Sequence, residues 1–387
     1  MRTIKNFSSM IAALALATLV GGCTTATSGQ PGEYQSHIPE TVQGLRQIGQ
    51  ALTIARTASG PAQHFGGISG MDWDSRNKLW YFLSDDRSAL APARFYEAEV
   101  TLNSAGIDRI SIARAMTILQ SSGQPYPGKA GDGEVPDPEA LRMDPAGASL
   151  WWSSEGDRSM GLHPFVRNMD KLGRYLGEQP LPANLRVHPH TEMGARNNQA
   201  IEGLAFSPDG SALWTAMEGP VYQDGEPASQ SRGAWLRFTR HDRSKGQTAQ
   251  YAYPLDAIAA TATGGKKRSD NGVSEILATG CGELLVIERS GYEVGDGVFR
   301  FAIRIYVASF ERSTDILNIA ALRDGFTPMT KRLVLDLKAA GIDADNIEAA
   351  AWGPRLPDGH ASLLLASDDN FSPHQSSQFL LFEVIEQ

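Results

Sequence analysis

The sequence predicts an all-β chain folded as a β-propeller of four-stranded antiparallel blades, and three observations lead to that class. A hairpin motif with an acidic residue near its start recurs along the chain, a second hairpin follows nearly every copy, and almost no stretch shows the 3.6-residue periodicity of an amphipathic helix. The best-preserved copy is Asn198 to Pro220. Ile201 to Phe206 reads as a strand, Ser207-Pro208-Asp209-Gly210 as a tight turn with proline fixing φ and glycine taking the left-handed position, and Ala212 to Met217 as the returning strand. A hairpin brings its two ends to one edge, so Glu202 and Glu218 are expected on one face.

Residues 1–22 are not part of this pattern. Arg2 and Lys5, an apolar run from Met10 to Val20 and small residues before Cys23 form an export signal, too short and wrongly flanked for a membrane span. Leu19-Val20-Gly21-Gly22-Cys23 resembles a bacterial lipobox, whose cysteine is lipidated after cleavage; the alternative is an ordinary signal peptide with an incidental cysteine. The expectation is an exported protein of the bacterial cell envelope, lipid-anchored through Cys23 on the periplasmic face and touching the membrane by that anchor only. Residues 23–36, rich in Ser, Thr and Gly, read as a flexible tether, and 37–387 as one domain. The formal net charge of −9 becomes more negative when Arg2 and Lys5 are removed, which argues against a nucleic-acid partner and for a metal cation. With Cys23 carrying lipid, Cys281 is expected to stand alone, so stability rests on core burial. A monomer is expected.

The repeats follow in order. Leu45 to Ala55 is expected as the outer strand that closes the ring against the C-terminal strand Gln378 to Val384. The first hairpins are Gly66 to Trp73 with Leu79 to Asp86, Glu139 to Asp144 with Leu150 to Glu155, Glu202 to Glu218, Ser274 to Ala278 with Glu283 to Glu288, and Ile347 to Trp352 with Ser362 to Asp368. The anchors Glu139, Glu202, Glu275 and Glu348 lie 63, 73 and 73 residues apart. Outer hairpins are Arg94 to Val100 with Arg109 to Ile118, His163 to Asp170 with Gly173 to Pro180, Ala234 to His241 with Thr248 to Pro254, and Phe299 to Phe310 with Lys331 to Leu337. Five blades are thus visible, and a sixth is possible if Ile107 to Glu134, or the long loops, hide a degenerate copy. Trp80, Trp151, Trp152, Trp214 and Trp352 recur at blade positions and read as packing between blades.

Laid out in this way, the repeats resemble the phytase-like β-propeller family, the "esterase-like activity of phytase" group. The likeness is carried by Ile201-Glu202-Gly203-Leu204 with Met217-Glu218-Gly219-Pro220, by Pro138-Glu139-Ala140-Leu141 with Ser153-Ser154-Glu155-Gly156-Asp157-Arg158, by Gly67-Ile68-Ser69-Gly70 with Leu83-Ser84-Asp85-Asp86-Arg87, and by Ile287-Glu288-Arg289-Ser290-Gly291. It spans roughly Gly66 to Glu383. The resemblance implies a calcium-dependent propeller linked to phosphate-ester hydrolysis.

The carboxylates make a separate argument. Innermost strands line a propeller's channel, so Glu139, Glu202, Glu275 and Glu348 are expected to ring one mouth, with Asp85, Glu155, Glu218, Glu288 and Asp368 forming a wider ring on the same face. So many like charges hold protons unless a cation sits among them, and oxygen-only ligation favours Ca²⁺. The other reading is that these side chains staple blade to blade. Glu202 and Glu218 are the expected catalytic pair. Arg87, Arg158 and Arg289 follow the wider ring and could hold a phosphate in their guanidinium forks or simply pair with neighbouring carboxylates. No G-x-S-x-G elbow and no trusted zinc spacing among His64, His188 and His190 is present. The expected function is a calcium-dependent hydrolase of a small phosphate ester or other ester; the alternative is a non-catalytic, calcium-stabilised propeller that binds a protein or carbohydrate.

Overall fold

The computed structural model describes residues 37–386 apart from 55–58, 130–132, 264–265 and 296, so the expected signal, lipobox, Cys23 and tether lie outside the described residues. The described chain is all-β apart from three short 3₁₀ turns. Its strands form five four-stranded antiparallel sheets. Blade 1 is β2 (Ile68–Asp74), β3 (Leu79–Ser84), β4 (Arg94–Asn103) and β5 (Gly106–Thr117). Blade 2 is β6 (Pro138–Met143), β7 (Ser149–Ser154), β8 (Phe165–Asp170) and β9 (Tyr175–Gln179). Blade 3 is β10 (Ile201–Phe206), β11 (Ala212–Met217), β12 (Ala234–Asp242) and β13 (Thr248–Leu255). Blade 4 is β14 (Gly272–Ala278), β15 (Leu284–Gly295), β16 (Val298–Ser309) and β17 (Thr330–Asp336). Blade 5 is β18 (Ile347–Gly353), β19 (Ser362–Ser367) and β20 (Ser377–Ile385), completed at its outer edge by β1 (Gly44–Ile54), which pairs antiparallel with β20 from Gly44 opposite Ile385 to Ile54 opposite Ser377.

The inner strands β2, β6, β10, β14 and β18 touch their neighbours in that cyclic order, with β18 returning to β2. Of the stretch weighed as a sixth blade, residues 107–117 belong to the outermost strand of blade 1, Gly106–Thr117, and the described residues form five sheets. Each inner strand is buried almost end to end, because blades cover both of its faces.

The core follows the same plan. Five apolar clusters lie one at each junction between neighbouring blades, such as Tyr81, Leu83, Leu141 and Trp152 between blades 1 and 2, or Leu277, Ile287, Ile347 and Trp352 between blades 4 and 5. Trp80, Trp152, Trp214 and Trp352 belong to these junctions, and Trp352 donates its indole N–H to Ala278 O at 2.8 Å, across from blade 5 to blade 4. Cys281, expected to stand alone, is disulfide-bonded, which corrects that expectation.

Candidate functional site

Each inner hairpin carries one slip in pairing register. The slips fall between Ile68 and Gly70, Pro138 and Leu141, Ile201 and Gly203, Val273 and Glu275, and Ile347 and Ala349. Aligned on the paired residues that precede them, the extra residue is Ser69, Glu139, Glu202, Ser274 and Glu348 in the five blades. A bulge of this kind bends the strand and re-aims one side chain. The paired residues' partners are Ser84, Ser154, Met217, Glu288 and Ser367. The next positions along the return strands are therefore Asp85, Glu155, Glu218, Arg289 and Asp368.

Two expected ring members fall out of this register. Glu275 lies one residue past the slip and is fully buried against Arg142, with Glu275 Oε2 and Arg142 Nη2 2.7 Å apart. Its Oε1 accepts the amides of Ile276 and Leu204 at 2.8 and 3.2 Å. Burial pushes its carboxyl up to about 8 while Arg142 pulls the other way. Arg142 also donates to Met71 O and Leu141 O at 2.7 and 2.6 Å and to Ile276 O at 3.0 Å, so this pair staples blades 1, 2 and 4 together. Glu288 lies one residue before the outer position and faces the blade 3–4 junction, where it accepts from Tyr253 Oη at 2.8 Å and pairs with Lys331. Blade 4 thus offers Ser274 and Arg289 where blades 2 and 3 each offer two glutamates.

The remaining acids converge. One carboxylate oxygen each from Asp137, Glu139 and Glu155 lie within 4.8 Å of one another, as do those of Glu155, Glu202 and Glu218, so Glu155 is common to both groups. A cavity of about 410 Å³ opens onto them, lined by seven acidic residues, among them Asp85, Glu139, Glu202, Glu348 and Asp368, together with Arg87 and Arg289. Glu155 Oε2, Glu202 Oε2 and Asp85 Oδ1 are buried with no hydrogen-bond donor. Burial first, and then the facing carboxylates, push Glu139, Glu155, Glu202, Asp85 and Asp368 well above the usual carboxylate range. Burial also raises Glu218 to about 8 and Asp137 to about 7 against the pull of Arg289 and Arg87, and raises Glu348 against Arg289. Orphaned, buried, oxygen-only donors of this kind fit a hard cation and fit zinc or copper poorly. A further group, Asp358, His360 and Glu383, sits at the outer edge of blade 5, away from this cavity, where Arg46 takes Glu383.

The three arginines divide. Arg289 lies between blades: its Nη2 is 2.7 Å from Glu218 Oε1, its Nε 3.6 Å from Glu348 Oε1 and its Nη1 3.9 Å from Asp270 Oδ1. Arg87 lines the cavity and bridges to blade 2 rather than to its own neighbour Asp86, with Asp157 at 2.9 Å and Asp137 at 3.3 Å. Arg158 is not brought to the site. Asp157 caps the turn Arg158–Met160 by accepting from Ser159 N and Met160 N, which swings Arg158 outward onto Tyr222, 4.4 Å from the ring centre, and onto the carbonyls of Met193 and Ala195.

Sequence reasoning missed Asp137, Asn346 and the two serines. Asp137 and Asn346 each stand two residues before a bulged glutamate, a spacing that puts both side chains on one face of a strand and could have revealed them. Asn346 Nδ2 donates to Glu348 Oε1 at 2.8 Å and to Asp368 Oδ2 at 3.2 Å, tying the two tiers of blade 5 together. In blade 4 the same position is Gly272, where a Cβ would come within 2.5 Å of Glu218 Cγ.

Three solved structures illustrate how far the likeness of the fold extends. An endo-arabinase from Bacteroides thetaiotaomicron shares 11% identity over 90% of this chain and 98% of its own, with a TM-score of 0.40. The catalytic domain of an α-L-arabinofuranosidase from Coprinopsis cinerea shares 10% over 89% and 98%, with a TM-score of 0.39, and U3-55K shares 9% over 87% and 98%, with a TM-score of 0.33. Likeness at that level says nothing of activity. No curated protein sequence matches the chain. The profile of the phytase-like family, described as "Esterase-like activity of phytase", matches residues 63–371, well over half the chain, and the protein belongs to that family.

Proposed function

We propose that the protein is a calcium-dependent phosphoric-ester hydrolase whose reaction takes place in the acidic cavity at the channel mouth. The observation that carries this reading is the pair of carboxylate triads sharing Glu155, with Glu155 Oε2 and Glu202 Oε2 buried and without donors. Asp137, Glu139, Glu155 and Glu218 would hold the cation with Glu202 beside it, and calcium would supply charge to neutralise a bound phosphate and to acidify a water. Glu202 Oε2, whose lone pairs no protein donor fills, would take the proton of the attacking water. Water adds at phosphorus, the ester P–O bond breaks, and the proton passes to the leaving oxygen, giving an alcohol and inorganic phosphate. Arg87 has three of its five N–H directions committed to Asp157, Asp137 and Pro136 O, and turns the others to the cavity and the phosphate oxygens. Arg289 sits between Glu218 and Glu348 and offsets part of their charge rather than acting as a fork for substrate.

The test is hydrolysis of an aryl phosphate by purified protein with and without Ca²⁺, and with Glu202→Gln. Calcium-dependent turnover lost in the variant supports the reading. A calcium-dependent rise in melting temperature without turnover on any phosphate or carboxyl ester would make the protein a non-catalytic envelope propeller instead. The lipid anchor is part of the same proposal. The sequence holds two cysteines and a sulfur carries either a thioether or a disulfide, so the anchor and an intrachain disulfide at Cys281 exclude each other in one molecule. Mass spectrometry of the mature N-terminal peptide should find Cys23 with attached lipid and Cys281 without an intrachain disulfide, and a Cys23 found in a disulfide ends that part of it.

A further inference from the structure

The two sides of the cavity are built differently, and the difference begins one residue beyond the outer carboxylates. Blades 2 and 3 place Gly156 and Gly219 there, whereas blades 1 and 5 place a second aspartate, Asp86 and Asp369. Asp86 accepts the amides of Ala89, Leu90 and Ala91 at 2.8, 3.1 and 3.0 Å and pairs with Arg94 at 2.6 Å, so the loop that carries Leu90 is pinned. Asp369 accepts the amides of Phe371 and Gly67 at 3.1 and 3.0 Å, and Asp368 that of Asn370 at 2.7 Å. Held in this way, Asn370 and Phe371 adopt left-handed φ values of 46° and 48°, a conformation bulky side chains rarely take and one that marks functional loops when surrounding bonds enforce it. The Phe371 ring lies against Gly67, where a Cβ would come within 2.7 Å of its Cε2. Leu90 remains 52% exposed although its loop is fixed. Both side chains, with Ala89, line the same cavity as Glu139 and Glu202.

The charges lining the cavity narrow what can enter. Seven acidic residues face two arginines, and both arginines are already ion-paired. A cation at the acid triads can receive one anionic group, but every further anionic group on the ligand would meet carboxylates. We infer that the substrate carries a single phosphate ester on an apolar aryl or alkyl portion, and that Phe371 and Leu90 select it by packing against that portion while the phosphate faces the floor. This rests on the phosphoester reading of the cavity and narrows it to a substrate class: a compact monoester with an apolar leaving group rather than a polyphosphorylated ring.

Calorimetric titration of the calcium-saturated protein with non-hydrolysable phosphonates separates the two claims. Phenylphosphonate should bind about tenfold or more tightly than methylphosphonate, since a ring in an apolar pocket gains at least what a methylene or two does. The para-carboxyphenyl analogue, of similar shape but with a second anionic group, should bind more weakly than phenylphosphonate. Phe371→Ala should abolish the phenyl preference and Leu90→Ser should narrow it, with methylphosphonate affinity unchanged in both. Equal binding of phenyl and methyl ligands, or a preference untouched by both substitutions, overturns the apolar selection and leaves the phosphoester site standing. No binding of any phosphonate, in the wild type as in Glu202→Gln, overturns the phosphoester reading and this inference with it.

Discussion

Blades 3 and 4 have nearly the same inner hairpin, slipping register at the same place, yet one presents Glu202 and Glu218 to the channel mouth and the other Ser274 and Arg289. The backbone repeats while the charge does not. Five blades with two carboxylates each would press ten like charges into one mouth, and nothing short of several cations or protons could hold them. Blade 4 relieves this. Arg289 reaches Glu218 on one side and Glu348 on the other, so its sector is already neutralised, and the acid triads with orphaned oxygens fall on blades 2 and 3. The propeller supplies a symmetric frame, and the single arginine decides on which side of it a cation can sit.

The strongest way to break this comparison is to remove that arginine. In Arg289→Met, Glu218 and Glu348 lose the guanidinium between them while staying buried, and stripping one partner from a buried ion pair costs about 3–5 kcal/mol. Urea unfolding in calcium-free buffer near pH 8 should show that loss, and added calcium or a drop in pH should recover part of it. A variant as stable as the wild type would mean that blade 4 does not balance the ring.

The same comparison shows where the sequence was legible. The turn at Ser207 to Gly210, the recurrence of hairpins and the β-rich composition gave the propeller, its five blades and the positions of Glu139, Glu202, Glu348, Asp85, Glu155, Glu218 and Asp368. Blade 4 was misread by one residue on both strands. Its acidic residues Glu275 and Glu288 sit next to the structural positions, and strands buried on both faces show no alternation of polar and apolar residues to fix the register. Spacing alone favoured the glutamates, whereas the hydrogen-bond ladder chose Ser274 and Arg289. Arg158 was misplaced for another reason, since the cap made by Asp157 turns the chain outward three residues past Glu155 and strand logic stops there.

A smaller effect is expected at the residue common to both triads. Calcium at about a hundred times its Kd should stabilise the wild type by about 3 kcal/mol, and Glu155→Gln should lose most of that gain. Glu288→Gln should keep it, because Glu288 lies at the Tyr253 and Lys331 junction and not at the mouth. Loss of the calcium response in both variants would return Glu288 to the site and erase the distinction between the two blades. Protons compete for the same oxygens. Asp137 and Glu218 move from 3.8 and 4.5 up to about 7 and about 8 in the folded chain, so calcium-free protein binds more protons folded than unfolded across that window. The stability this provides is complete below about pH 4 and is lost as pH rises through 7 and 8. Thermal melts should therefore fall with pH without calcium, and the gain from calcium should be larger at pH 8 than at pH 6. A flat calcium-free profile would mean the acids are ionised without a cation.

The smallest effect tests what blade 4 gained by giving up a glutamate at the bulge. Ser274 Oγ donates to Ile347 O at 2.9 Å, and Ser69 Oγ, its counterpart in blade 1, donates to Pro138 O at 3.0 Å; in each case the acceptor is the residue just before the next blade's bulge. Both serines are fully buried, so Ser274→Ala and Ser69→Ala should each cost about 1 kcal/mol, the net value of one such hydrogen bond with its carbonyl left short of a donor. Neither should alter the response to calcium, because neither hydroxyl belongs to the acid triads. Equal losses in the two variants would show that the bulge position works as a clasp wherever it is not a carboxylate. A Ser274→Ala variant with an altered calcium response would instead place blade 4's hydroxyl among the cation's ligands, and the contrast with blade 3 would then lie in the strength of the ligand rather than in its presence.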